Sequence, residues 1–263
     1  MVHVVTKGAK VAEGKQRAGD SQSISRAIAV LRAVADRPGA SLGEIAKDTG
    51  LARSTVQRLV GSLTSEGLLT KTFGQQGVHL GMELARLGAK VNLNARSLLM
   101  PLMEELHREI GDNIDLTVLD HGEVLVIEQI ASNEDIRVIS FVGRRHPIYC
   151  TANGKAHLGQ IPRNEALALL GDSLERMTPN TLTDPKAVMA QVDAFREVGL
   201  YIDREEFGID ACAVATTLPE IGGQKLAISI AMPAARFKRR EEDAKAALLA
   251  FRRKMQATFG KSI

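Results

Sequence analysis

Cysteine is scarce and long apolar runs are missing, and each shortage removes a class of function. The 263-residue chain holds two cysteines, Cys150 and Cys212. They lack the close spacing of thiolate ligands, so neither a zinc site nor a disulfide framework is encoded. No stretch of about 18 uninterrupted apolar residues occurs, which argues against a membrane span. The opening "MVHVVTKGAKVAEGKQRAGDSQ" has no compact apolar segment with a small-residue cleavage site. Secretion is therefore not indicated, and a cytoplasmic setting with reduced thiols is expected. Also missing are a metal-spaced histidine repeat, a nucleophile-elbow serine and a dinucleotide glycine pattern after a strand. Gly154-Lys155 lacks the upstream glycine of a phosphate loop. No metal and no cofactor is expected.

What remains is a chain with 44% hydrophobic residues, long enough for two modest domains or one large one. Its net charge of +3 is unevenly distributed. The first 94 residues carry 13 Lys+Arg against 7 Asp+Glu, and the remainder carries 21 against 24. A basic head on a near-neutral body is compatible with a polyanion partner, although scatter of surface charge accounts for the asymmetry equally well. Residues 1–20 read as a weakly basic, mobile tail.

In residues 21–80, Ile24, Ala27, Ile28, Leu31, Val34 and Ala35 recur at helical spacing, and Pro38-Gly39 stops that helix. Ser41 with Glu44 fits a capping box opening a short helix that ends at Gly50. The next helix, from near Ala52, turns Val56, Leu59, Val60 and Leu63 inward and Ser54, Gln57 and Arg58 outward. Gly67 ends it, "LLTKTF" reads as a strand, and "GQQG" turns into "VHL" as a wing. A polar-faced helix alone is usually just solvated. The ordered set of capped helix, glycine turn, polar-faced helix and wing instead predicts a winged helix-turn-helix that reads double-stranded DNA. Gln57 and Arg58 suit base edges, Ser54 shares their stripe, and Arg53 and Thr55 sit where phosphate oxygens are held. Lys71, Gln75 and Gln76 would touch the adjacent backbone or minor groove.

A linker helix is expected over 81–94, continuing into the apolar stripe Leu98, Leu99, Leu102, Met103 and Leu106. From 95 to 263, short β-rich runs alternate with helical stretches. The runs are "DLTVL", "EVLVIEQI", "DIRVISFV", "GLYID", "ACAVATTL" and "KLAISIAM". Helices fall around 153–159, 163–170, 185–198 and 235–259. This pattern predicts an α+β domain with a mainly antiparallel sheet. "RFKRREED" reads as the charged face of the terminal helix.

"SISRAIAVLRAV", "SLGEIAKDTGLARSTVQRLVGSLTSEGLL" and "HLG" resemble the IclR-type transcriptional regulators in order and spacing, and the resemblance runs from about Ser21 to the C-terminus. It implies a GAF-like effector-binding body. It also implies a small organic or aromatic acid as effector, and a homodimer formed through head and linker that can pair again into a tetramer. "RRHPIYCTANGKAHLG" resembles the family's Pro-centred loop, matching Ala152 and Asn153 to backbone groups offered to the ligand. "GLYIDREEFGIDACAVA" matches Asp203 and Cys212 to pocket positions, and "AISIAMP" matches Ser229, with Val138 on the wall. The chain departs from the family at Val78, where a wing Tyr is usual, at Ala231, where some relatives have a serine, and in a stretch from Glu206 to Cys212 that is one residue shorter. The last two departures predict a more apolar pocket.

Two competing readings carry different expectations. Cys150 or Cys212 beside His146 or His157 would make a thiol-dependent enzyme with a DNA-binding head. A ligand-free scaffold would bind only partner proteins. Neither is supported beyond residue types, and no catalytic activity is expected.

Overall fold

The computed structural model describes residues 10–71, 77–88 and 94–259. The chain divides into two compact units, Met1–Asn92 and Leu93–Ile263.

The first unit is built on three helices: α1 (Lys10–Asp36), α2 (Leu42–Thr49) and α3 (Arg53–Ser65). Helix α1 starts inside the segment expected to be a tail. Its first turns, rich in Lys, Ala, Glu, Gln and Arg, have helix propensity without the apolar periodicity that signals a buried helix. The capping box of α2 is present. Ser41 Oγ accepts from the Glu44 amide at 3.3 Å, and the Glu44 carboxylate accepts from the Ser41 amide at 2.8 Å. Gly50 closes α2 at a φ of 67°, a left-handed conformation that suits glycine. Val30, Val34, Ile45, Val56, Val60 and Leu69 meet in one core.

The wing pairs β1 (Leu69–Thr70) with β2 (His79–Leu80), shorter strands than "LLTKTF" suggests. Gln75 and Gln76 lie outside the described residues. Val78 is buried in the head core and bridges Ala40, so the residue that departs from the family's wing pattern packs inward. Helix α4 spans Met82–Gly88; the rest of the expected linker through 89–93 lies outside the described residues.

The second unit runs α5 (Asn94–Ile110), β3 (Asn113–Asp120), β4 (Glu123–Ile130), β5 (Arg145–His146), α6 (Ala152–Gly159), α7 (Arg163–Leu170), α8 (Pro185–Arg196), β6 (Tyr201–Arg204), β7 (Ala211–Thr217), β8 (Leu226–Pro233) and α9 (Ala234–Phe259). Its strands form one antiparallel sheet in the order β5-β4-β3-β8-β7-β6. Because side chains alternate along a strand, the sheet has two distinct faces. Ile114, Leu116, Val214, Ile228 and Ile230 pack against α5 and α9 through Leu99, Met103 and Phe251. The other face meets α6, α7 and α8, with Val188, Met189 and Val192 in its core.

The expected strand "DIRVISFV" does not form; 135–142 is irregular. Its β-branched composition favours a strand, but the available edge of β4 is taken by the segment that follows. Gly143 donates to the Val126 carbonyl, and the Val126 amide donates to the Arg144 carbonyl. Ile136, Ile139, Phe141 and Val142 are left exposed.

Candidate DNA-reading helix and ligand cavity

Helix α3 presents its apolar stripe to the head core and leaves Arg53, Ser54, Gln57 and Arg58 exposed, with Thr55 half-buried. Among the described residues, Arg53, Gln57 and Arg58 make no hydrogen bond or ion pair, so their donors remain available to a partner. The N-terminus of α3 is preceded by Ala52, which offers no side-chain cap, unlike the Ser41-capped α2. Helix amides not used by a cap are suited to phosphate oxygens. Lys71 is exposed beyond β1.

The second unit holds a small, partly open cavity on the α6 face of its sheet. Its floor follows from register. One cross-strand row runs Asp203, Ala213, Ala231, Asn113, and the next runs Tyr201, Ala215, Ser229, Asp115, Gln129. Small side chains in the middle of both rows leave space beneath the start of α6. That helix is capped by Thr151, whose Oγ1 accepts from the Gly154 amide at 3.1 Å and donates to the Pro147 carbonyl at 2.9 Å. No hydrogen bond to the Ala152 or Asn153 amide is found among the described residues. Asn153 Nδ2 donates to Ser229 Oγ at 2.7 Å.

Val138, Ala152, Asn153, Asp203, Cys212 and Ser229 all line this cavity. Val138 is held there by Asn113, whose Nδ2 donates to its carbonyl while Asn113 Oδ1 accepts from the Ser132 amide at 2.7 Å. Cys212 differs from the others. Strand alternation places its side chain opposite Ala213, and it belongs to the core beneath α9 with Val214 and Met232. Sequence reasoning missed Asp115, Ser140 and Phe207, and treated His146 only as an alternative catalyst. Asp115 carried a signal, an acid inside the apolar run "NIDLTVL", sharing a face with Asn113 and Thr117. Ser140 and Phe207 sit on irregular segments where periodicity carries no information.

Burial sets the electrostatics. It pushes Asp203 up to about 7, against the Glu206 amide and the Lys155 charge, and Asp115 up to about 6. His146 is lowered to about 4 by burial and by Arg144. Asp203 Oδ1 accepts from the Glu206 amide at 2.8 Å. The Glu206 carboxylate pairs with Lys155, which is fully buried and also donates to the Ile202 carbonyl at 2.8 Å. Thr178 and Thr181 donate to the Glu206 carbonyl. This network fixes the loop that carries Phe207, whose ring centroid lies 5.1 Å from that of His146. Asp203 and Glu206 are thus buried, whereas Arg204 between them is exposed and Glu205 half-buried.

Burial also pushes Cys150 up to about 12 and Cys212 up to about 11. A nucleophilic thiol needs the opposite shift. His157, lowered to about 4 by burial, bonds through Nε2 to Thr117 Oγ1 at 3.0 Å. Among the described residues, no group of three or more His, Cys, Asp or Glu could hold a metal ion, and no helix is long and apolar enough to cross a membrane.

Comparison with known proteins agrees with this architecture. Residues 23–72 match the IclR helix-turn-helix domain, and residues 88–256 match the bacterial transcriptional regulator IclR C-terminal domain. The HTH-type transcriptional regulator Rv1719 of Mycobacterium tuberculosis is 36% identical, covering 94% of this chain and 96% of its own. The HTH-type transcriptional regulator TtgV of Pseudomonas putida is 32% identical, covering 94% and 95%. Among solved structures, an IclR homologue from Microbacterium hydrocarbonoxydans, complexed with 4-hydroxybenzoate, aligns with a TM-score of 0.75 at 24% identity, over 89% of this chain and 99% of that one.

Proposed function

The chain belongs to the IclR family of bacterial transcriptional regulators, and from that premise we propose how its two units share the task. A homodimer, or a dimer of dimers, places two copies of α3 in successive major grooves of a near-palindromic operator. Gln57 and Arg58 read base edges with Ser54 on the same stripe, Arg53 and Thr55 hold phosphates, and Lys71 touches the adjacent backbone or minor groove. A small organic molecule enters the cavity of the second unit and changes operator affinity by preferring one arrangement of the heads. The chain acts in the cytoplasm and catalyses no reaction. A carboxylate effector of the kind the family resemblance implies, like the 4-hydroxybenzoate seen with the Microbacterium relative, has one receiving point, the Ala152 and Asn153 amides.

The observation that carries the ligand-responsive reading is the cavity itself, a concave apolar space with a few convergent polar groups. The DNA assignment is tested by comparing Arg58→Ala with the parent on operator and random duplexes at fixed salt. Loss of a base contact weakens operator binding by about 1–3 kcal/mol and leaves random DNA almost unchanged. Equal losses on both assign Arg58 to phosphate, and no loss removes it from the interface.

A further inference from the structure

Four large apolar side chains stand exposed within one short stretch of the second unit. Ile136, Ile139, Phe141 and Val142 are 75%, 73%, 56% and 49% exposed, and Arg137 among them is exposed too. Val138 is half-buried and Ser140 buried. From Arg137 to Phe141 burial therefore alternates residue by residue, the period of extended chain with one face inward and one outward. A contiguous apolar patch left in water marks an interaction site.

The backbone of this stretch is equally unfinished. No hydrogen bond from the amides of Ile136 to Val142 is found among the described residues. Side chains from elsewhere hold its carbonyls instead. Arg236 donates to the Ile136 carbonyl at 3.0 Å, Arg144 to that of Ile139 at 2.7 Å, and Asn113 to that of Val138. The Arg144 guanidinium also lies 5.6 Å from the Phe141 ring centroid and 5.9 Å from that of Phe207. The stretch is thus fixed in place with its amide donors unused, which lowers the entropic cost of docking. "IRVISFV" contains none of the proline, glycine or lysine that blunts an exposed strand, and its β-branched and aromatic residues favour pairing. Its own chain offers no neighbour there, because residues 143–146 occupy the edge of β4.

Charge identifies the occupant. Glu134 and Asp135 precede the stretch, and Arg144 and Arg145 follow it. A second copy laid antiparallel about Ser140 sets the acidic end of each against the basic end of the other, whereas a parallel copy sets like against like. The same reversal places Ile139 of each copy across from Phe141 of the other, a favourable β-branched and aromatic pair. Arg145 also meets Asp120 and Glu123 of its own chain, and exposed ion pairs add little energy. These charges therefore set orientation and register, while the apolar pairs supply affinity.

We propose that residues 136–142 are a self-complementary contact through which the second units of two copies pair, strand against strand and antiparallel about a two-fold axis at Ser140. It rests on the oligomer proposed above only for the species it joins, supplying the contact that the heads do not make in a dimer of dimers.

The test is sedimentation equilibrium of the full chain over a concentration series, comparing the parent with Ile139→Asp, Phe141→Lys and the double variant. Both side chains are exposed, so each variant should fold, and thermal unfolding checks that it does. Each single substitution should halve the limiting mass, or raise the dissociation constant for self-association at least tenfold. The double variant sets opposite charges across the strands and should recover the parent mass. Single variants with the parent's mass overturn the proposal and leave the patch to a different protein. Loss in both singles without recovery in the double overturns the antiparallel pairing. The starting species separates this contact from the one between heads. Halving from tetramer to dimer supports the proposal and leaves the head-and-linker contact standing; halving from dimer to monomer supports it and sinks the head-and-linker contact alone.

Discussion

Asp203 shows how one buried carboxyl makes stability depend on pH. Unfolded, it titrates near its ordinary value of 3.8; folded, burial moves it up to about 7. Between those values the folded chain keeps a proton that the unfolded chain has released, so stability falls as pH rises through the folded value. Asp115, at about 6, acts in the same direction. His146 and His157, both near 4, act oppositely, losing stability as pH falls from about 6.5. Between pH 6 and pH 8 the loss from the two acids and the gain from the two histidines are of similar size, so urea unfolding of the ligand-free chain should be nearly level over that window. Asp203→Asn keeps an acceptor for the Glu206 amide but removes the Asp203 part, so its stability should rise relative to the parent by about 1 kcal/mol from pH 6 to pH 8; a profile parallel to the parent's would place the titration elsewhere. Family resemblance located Asp203, but its raised pKa was not legible. That shift is set by burial, against the Glu206 amide and the Lys155 charge, and both the packing that buries Asp203 and the approach of Lys155 arise only in the fold.

Helix α6 is the element on which the cavity depends, and its start tolerates no side chain at one position. A Cβ added at Gly154 would lie 2.1 Å from the Ile148 carbonyl oxygen, which is backbone and cannot swing aside. Gly154→Ala should therefore cost about 3 kcal/mol, the upper range for forced overpacking, and should abolish ligand binding by displacing Ala152 and Asn153. Gly61→Ala in α3 is the control. Nothing lies within 4 Å of its added Cβ, so it should stabilise the chain by about 1 kcal/mol through helix propensity. Thermal unfolding checks both, and a neutral Gly154→Ala would show that the loop yields. The contrast marks what a sequence can encode locally. Helices α2, α3, α7 and α9 were legible because caps, glycine stops and apolar period are written within them. Residues 135–142 were misread because strand formation needs a free neighbouring edge, and that depends on how residues 143–146 already occupy β4.

For the molecule as a whole, the division into units Met1–Asn92 and Leu93–Ile263 turns regulation into a question of coupling free energy. If a cavity ligand changes operator affinity by some factor, operator DNA must change ligand affinity by the same factor, because both describe one thermodynamic cycle. A tenfold weakening corresponds to about 1.4 kcal/mol of coupling. Ligand titrations with and without saturating operator duplex should thus give dissociation constants in the same ratio as operator titrations with and without saturating ligand. Asn153→Ala, in the cavity wall, should weaken ligand binding while leaving ligand-free operator affinity near that of the parent; Arg58→Ala should do the reverse. Should operator DNA leave ligand affinity untouched while ligand shifts operator affinity, the two effects do not share one equilibrium. The ligand would then be acting at a second place, and the cavity would lose its regulatory role.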